Sequence, residues 1–197
     1  MEKQVSGFLV GLTIFIAVIV FVIMLTVGWV VGFYNSVIVA SNDVDTQFAH
    51  IKTEYQRRAD LIVNMAEVAK GYADFEQETL TDVIRMRGGN FQGGTTEEQM
   101  AEMNRFDSAI SRLLVVFEKY PELRTVEQYN KLSDELKNTE NRIQGARMSY
   151  NDIVRSYNIK IQQFPNNILA GMFQFKQKTF FENEPGTDKA PKLNMTR

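Results

Sequence analysis

From Gly7 to Phe33 the chain is almost wholly apolar, and no charged residue occurs between Gln4 and Asn42. At 1.5 Å per residue a helix of that length reaches ~40 Å, enough to cross a hydrocarbon core of roughly 30 Å with tilt to spare. Thr13 and Thr26 lie inside the run, where each hydroxyl can bond back to its own helix. Trp29 and Tyr34 stand near its C-terminal end, where amphipathic rings favour the interface. A cleaved signal peptide would have an apolar core of about 7–15 residues and a small-residue cleavage site. The run is too long and no such site follows it, so a retained single-pass anchor is expected. Lys3 precedes the span, whereas Asp43 and Asp45 follow it before the first basic residue, Lys52. Lysine and arginine counts near the membrane then favour an extracytoplasmic helical domain. Gly7-x-x-x-Gly11 and Gly28-x-x-x-Gly32 could let two spans associate backbone to backbone, or could be the glycine background of membrane helices.

Beyond Phe33 the pattern becomes polar and helical. Val37, Val44, Phe48, Ile51, Tyr55, Ile62, Met65, Ala69 and Tyr72 recur at steps of three, four and seven, which is one buried stripe. No proline or glycine interrupts Phe33–Lys70, so the membrane helix can run straight into the domain. Gly71 can bend or end it, and a further helix is expected from about Glu76 to Arg87. Thr96 with Gln99 reads as a capping box. The helix it starts turns Met100, Met103, Phe106, Ile110, Leu113, Leu114 and Phe117 inward and ends before Pro121. Thr125 with Gln128 repeats the start signal. A last long helix places Tyr129, Leu132, Leu136, Ile143, Met148 or Arg147, Tyr150, Val154, Tyr157 and Ile161 on one side, and Pro165 closes it. The expected fold is all-α: one N-terminal transmembrane helix followed by an up-and-down antiparallel helical bundle of long helices. The expected layout is a short flank at 1–6, the span at 7–33, the bundle at 34–181 with a glycine-rich loop at 88–95, and a disordered tail at 182–197.

Composition removes most chemistry. Zero cysteines exclude thiolate sites, and a single histidine excludes centres needing two imidazoles. Gln47 stands three residues before His50, so the Glu-x-x-His pair of di-metal bundles is absent. The loop at 88–95 lacks the Gly-Lys-Ser/Thr of a phosphate loop. A net charge of −2 leaves no footprint for nucleic acid. Nine methionines spread along apolar stripes read as core filler. No catalytic, cofactor or metal site is expected.

Two sets of residues call for a role. Arg57, Arg58, Asp60, Asn64, Glu140, Arg147, Tyr150, Asn151 and Tyr157 place charges and amides at bundle positions. Buried ionisable groups can do acid–base work, but inter-helix pairs that fix register are the commoner use. Phe173, Phe175, Phe180 and Phe181, with Lys176 and Lys178, form an aromatic and basic segment. It could dock on the bundle, on another subunit or at a membrane surface.

These residues also carry a resemblance. Tyr34-Asn35, Tyr55-Gln56-Arg57-Arg58-x-Asp60-Leu61-Ile62-x-Asn64, Lys70-Gly71-Tyr72, Tyr120-Pro121-x-Leu123, Glu140-Asn141-x-Ile143, Ala146-Arg147, Tyr150-Asn151, Tyr157-Asn158, Phe164-Pro165 and Phe180-Phe181 together resemble the LemA family, in order from Tyr34 to Phe181. The family pattern has proline where this chain has Val63, which leaves that helix unkinked here. The resemblance implies a bacterial, membrane-anchored helical-bundle protein, with genes often beside those of membrane stress proteases.

The expected function is a non-enzymatic scaffold in the lipid bilayer of a bacterial cell membrane. It would form a homo-oligomer and organise a membrane patch or membrane protein partners. The alternative is a monomeric or dimeric sensor or adaptor that binds a ligand or protein in a polar groove near Arg57, Arg58, Asp60, Glu140 and Arg147.

Overall fold

The structure, a computed structural model, describes residues 2–70 and 93–182, with side chains at 11–69 and 93–182. The expected bend at Gly71, the stripe position Tyr72, the helix at 76–87, loop residues 88–92, the tail beyond 182 and the side of Gly7 lie outside the described residues. Among the described residues the chain is helical: α1 (Glu2–Lys70), α2 (Thr96–Glu118), a 3-10 helix (Pro121–Thr125), α3 (Glu127–Gln162) and the short α4 (Asn166–Met172).

The anchor and the first domain helix are one element. With valine at 63 the i→i−4 ladder continues unbroken, and Val63 is buried. Apart from half-buried Val30, the large apolar side chains from Leu12 to Val31 are 42–62% exposed. From Phe33 onward the expected stripe closes: Val37, Val44, Phe48, Ile51, Tyr55, Ile62, Met65 and Ala69 are all buried. A helix apolar all round and bare all round suits hydrocarbon, and it fits a single-pass membrane anchor. Thr26 donates to the Val22 carbonyl at 2.8 Å, so its hydroxyl is satisfied within the helix.

The chain divides into two compact units. The bundle unit comprises Val44–Arg155 with Lys178–Arg197. In it α1 and α3 run antiparallel, since Gln47 bonds the Ala146 carbonyl, Glu54 faces Arg142 and Arg57 pairs with Glu135. α2 also opposes α3: Asp107 meets Arg147 near one end, and Phe117 stacks on Tyr129 near the other. Ile110, Leu113, Ile143 and Val154 fill the core between them, at about 1.5–3 kcal/mol of burial each. The anchor unit comprises Met1–Asp43 with Ser156–Gln177. There Lys160 donates to the Ser36 carbonyl at 3.2 Å, and Tyr34 packs on Phe173 and Phe175 with ring centroids 5.1 and 5.7 Å apart.

Two start signals are corrected. The N-cap of α2 is Thr95, not Thr96. Its hydroxyl accepts from the Glu98 N–H at 3.2 Å, and the Glu98 carboxylate accepts from the Thr95 N–H at 2.8 Å. A carboxylate is the stronger acceptor there, and Gly94 turns the chain in with φ of 82°. Gln99, the residue expected in the box, is instead buried. Thr125 does not cap α3, because its hydroxyl donates to Glu122 within the 3-10 helix that Pro121 starts. The choice between Met148 and Arg147 also resolves: Met148 is 66% exposed, and Arg147 points inward.

Candidate functional site

The site is a polar layer inside the bundle unit, centred on Asp107 of α2. One carboxylate oxygen accepts from Arg58 of α1 at 2.7 Å. The other accepts from Arg147 of α3 at 2.6 Å and from the Tyr55 hydroxyl at 2.7 Å. Arg147 also donates to the Tyr55 oxygen and, at 3.4 Å, to Asn104. Arg58 reaches further to Glu140 of α3, an ion pair at 2.6 Å. Three helices thus meet on one carboxylate, at positions where a bundle heptad would otherwise place leucine.

Burial dominates the electrostatics. It holds the Asp107 carboxyl above the usual carboxylate range, against the Tyr55 hydrogen bond and the two guanidiniums that pull it down. Burial also raises Tyr55, and the charge of Asp107 adds to the effect. Both Asp107 oxygens are engaged by donors that belong to the fold. That geometry suits a register-fixing node, since a general base needs a lone pair turned toward a substrate.

A second set of contacts holds the segment after α4. Asn151 donates to the Phe181 carbonyl at 3.0 Å and accepts from the Phe181 N–H at 2.8 Å. Tyr150 donates to the Thr179 carbonyl at 3.0 Å, and the Thr179 hydroxyl donates to Glu97 at 2.6 Å. Lys178 meets Asp45 at 3.0 Å, and the Phe181 ring lies 4.2 Å from the Arg147 guanidinium. Residues 178–182 therefore contact α1, α2 and α3 of their own unit. Burial, with Asp45 and Glu97 adding, pushes the Tyr150 hydroxyl up to about 12. Within the anchor unit, Tyr157 donates to the Lys176 carbonyl at 3.1 Å.

The expected polar set therefore separates. Arg58, Glu140 and Arg147 join the layer, while Tyr150, Asn151 and Tyr157 tie down the C-terminal segment. Arg57 stays outside as a surface pair with Glu135. Asp60 accepts from Gln56 at 3.4 Å, and Asn64 is exposed. Asp107 is the centre that the sequence reading passed over; a lone aspartate facing inward on an apolar α2 stripe, one residue after Phe106, was the available signal. Of the aromatic set, Phe181 is buried, Phe175 half-buried, and Phe173 and Phe180 are 40% exposed. A Cβ on Gly11, Gly28 or Gly32 would meet nothing within 4 Å. His50 is exposed, and no metal-binding group occurs among the described residues.

Beside the layer, Arg58, Asp107 and Glu140 line an open groove of about 840 Å³, together with Arg124, Asp134 and Lys137. Arg57, Asp60 and Arg147, expected near such a groove, do not line it. The Arg58 Nε is buried with no hydrogen-bond partner among the described residues.

Against known proteins, the profile of the LemA family matches residues 47–195. Magnetosome proteins MamQ 1 and MamQ 2 of Paramagnetospirillum magneticum are each 25% identical, over 79% of this chain and 66% of their own length. Protein LemA of Metamycoplasma hominis is 27% identical, over 77% of this chain and 70% of its own. The chain thus spans just under two thirds of the magnetosome relatives.

Proposed function

The chain belongs to the LemA family, and on that premise we propose that it is a non-enzymatic, membrane-anchored scaffold of a bacterial cell membrane. The observation that carries this reading is α1, which leaves its apolar run bare and then, without a break, becomes the core helix of the bundle. The open space at Gly11 and Gly28 supports lateral association of copies. Relatives named as magnetosome proteins support a role in organising a membrane patch. The flanking charges favour a bundle outside the cytoplasm, and a membrane stress-protease system is the partner the family resemblance suggests. Light scattering of the full chain in mild detergent tests the assembly against the 22.6 kDa monomer. A discrete multiple is expected; a clean monomer overturns self-association.

The groove favours a second reading, an adaptor that takes a ligand or protein segment against Arg58, Lys137 and Asp134. Reversing Lys137 and Asp134 together tests it, because both are exposed and outside the Asp107 node. Loss of a crosslinked partner with unchanged helix content would favour the adaptor over the scaffold.

A further inference from the structure

We propose that the turn from Phe164 to Phe173 inserts into the interface of the membrane that α1 crosses. The inference rests on the anchor reading and uses contacts within the anchor unit alone. Its first support is position. Trp29, Gly32, Gln163 and Asn166 line one groove of about 560 Å³, so the end of α3 reaches the last turns of the apolar run. The Phe33–Phe175 contact, with centroids 6.4 Å apart, and the Tyr34–Phe173 contact hold the far side of the turn at the same end of the span.

Its second support is what the turn exposes. Phe164 is 81% exposed, Met172 72% and Ile168 56%, while Leu169 and Ala170 of α4 are buried. Ile168 and Met172 are four apart on one face of the helix, and Phe164 stands in the turn just before it. In water such a cluster would be unfavourable. At the boundary between headgroups and acyl chains it would bury its apolar area, as interfacial amphipathic elements do. Gln174, with φ of 58°, then turns the chain away from α4.

Its third support is charge. Between Ser156 and Gln177 there is no acidic residue, and the charged side chains are Lys160 and Lys176. Immersion of the turn desolvates no carboxylate, and exposed Lys176 on its flexible stem can reach anionic headgroups, while Lys160 donates to the Ser36 carbonyl. The occupant is therefore the lipid surface, with a preference for anionic lipid.

The absence of cysteine makes the test direct. Single cysteines replace Phe164, Ile168 and Met172, with Ile19→Cys inside the apolar run and Lys131→Cys on the 74% exposed bundle surface as references. Each full-length variant carries an environment-sensitive nitrobenzoxadiazole label in nanodiscs of phosphatidylglycerol and acyl-brominated phosphatidylcholine. Labels at 164, 168 and 172 are expected to emit to the blue of Lys131→Cys and to lose at least about half their emission to brominated lipid. If Ile19→Cys is quenched while the three turn labels behave like Lys131→Cys, the inference fails and the anchor stands. If Ile19→Cys is also unquenched, the anchor reading itself fails. Unquenched turn labels that crosslink copy to copy through Ile168→Cys would assign the face to a second chain and overturn the proposal.

Discussion

In the bundle unit, Arg58 and Arg147 each lie within 2.7 Å of a different oxygen of the Asp107 carboxylate, with Glu140 and Tyr55 closing the layer. In the anchor unit, Lys160 and Lys176 are the charged residues between Ser156 and Gln177, and there are none between Gln4 and Asn42. The exposed groups differ in the same sense. Outside the layer the bundle unit shows water exposed pairs such as Lys131–Glu127 and Arg155–Asp152, whereas the anchor unit shows Phe21, Met24, Phe164 and Met172. Two solvents account for the contrast. A domain in water hides its apolar side chains and can keep a buried charge only by pairing it. A segment in lipid has no reason to turn apolar groups inward and strong reason to omit charge.

The comparison breaks most readily at Asp107. Asp107→Ala takes the shared carboxylate from buried Arg58, which keeps only Glu140, and from half-buried Arg147, and the expected cost is about 3 kcal/mol of stability by denaturant unfolding followed by helix signal. Arg57→Ala, one residue from Arg58 and in an exposed pair, should cost at most ~0.5 kcal/mol. Equal effects for the two variants would mean that the layer is no more than surface chemistry. Replacing Arg58, Asp107 and Arg147 together by leucine or methionine should be much milder than Asp107→Ala, because the lone-charge penalty disappears with the charges.

A smaller effect is expected at Tyr55, whose hydroxyl both donates to Asp107 and accepts from Arg147. Tyr55→Phe keeps the ring packed on Phe106 and removes only that bridge, at about 1–3 kcal/mol. The loss should nearly vanish when measured on top of Asp107→Ala, since both changes disrupt one network.

The fold was legible in the sequence because its signals are local. The stripe from Val37 to Ala69 needs only a 3.6-residue period and an absence of breakers, and every described member is buried. The site was half legible. Arg58, Glu140 and Arg147 announced themselves as charges at core positions, but which partner each takes depends on how three helices register, and that is not a local property. Adjacent Arg57 and Arg58 look alike in the sequence and differ by about 100° around the helix, enough to send one to the surface and one inward. For Phe181, docking on the bundle, on another subunit or at a membrane all stayed open, because a segment without periodicity gives no face. Its burial follows from the two Asn151 hydrogen bonds and the Arg147 guanidinium, all from a distant helix. The capping box shifted by one residue because two Thr-x-x-Glu/Gln readings overlap at Thr95 and Thr96, and the carboxylate prevailed.

Asn151→Ala sharpens the comparison at the C-terminal segment. It removes both hydrogen bonds to Phe181 while leaving the layer intact, and about 1 kcal/mol of stability should go with them. The clearer readout is local: proteolysis between Lys178 and Glu182 should accelerate while the unfolding midpoint moves little. Labels on the anchor unit should not respond, and a change there would show that the segment carries strain beyond its own unit.

The mildest test needs no mutation. Tyr150 is held protonated up to about 12, whereas a tyrosine in the unfolded chain ionises near 10. Its folded value lies above its unfolded one, so the contribution is fully present below the unfolded value and is lost as pH rises through the folded value. At neutral pH both states keep the proton and nothing changes. Between roughly pH 10 and 12, the phenolate absorbance of Tyr150 should lag that of the unfolded chain, while Tyr55, which burial and Asp107 hold higher still, keeps its proton through that window. The bundle should lose cooperativity over the same window, because an ionised Tyr150 cannot donate to the Thr179 carbonyl and faces Asp45 and Glu97 across a short distance. Tyr150→Phe should remove that lagging step. If all tyrosines titrate together at the ordinary value, Tyr150 is open to water and the segment after α4 is not fastened to the bundle.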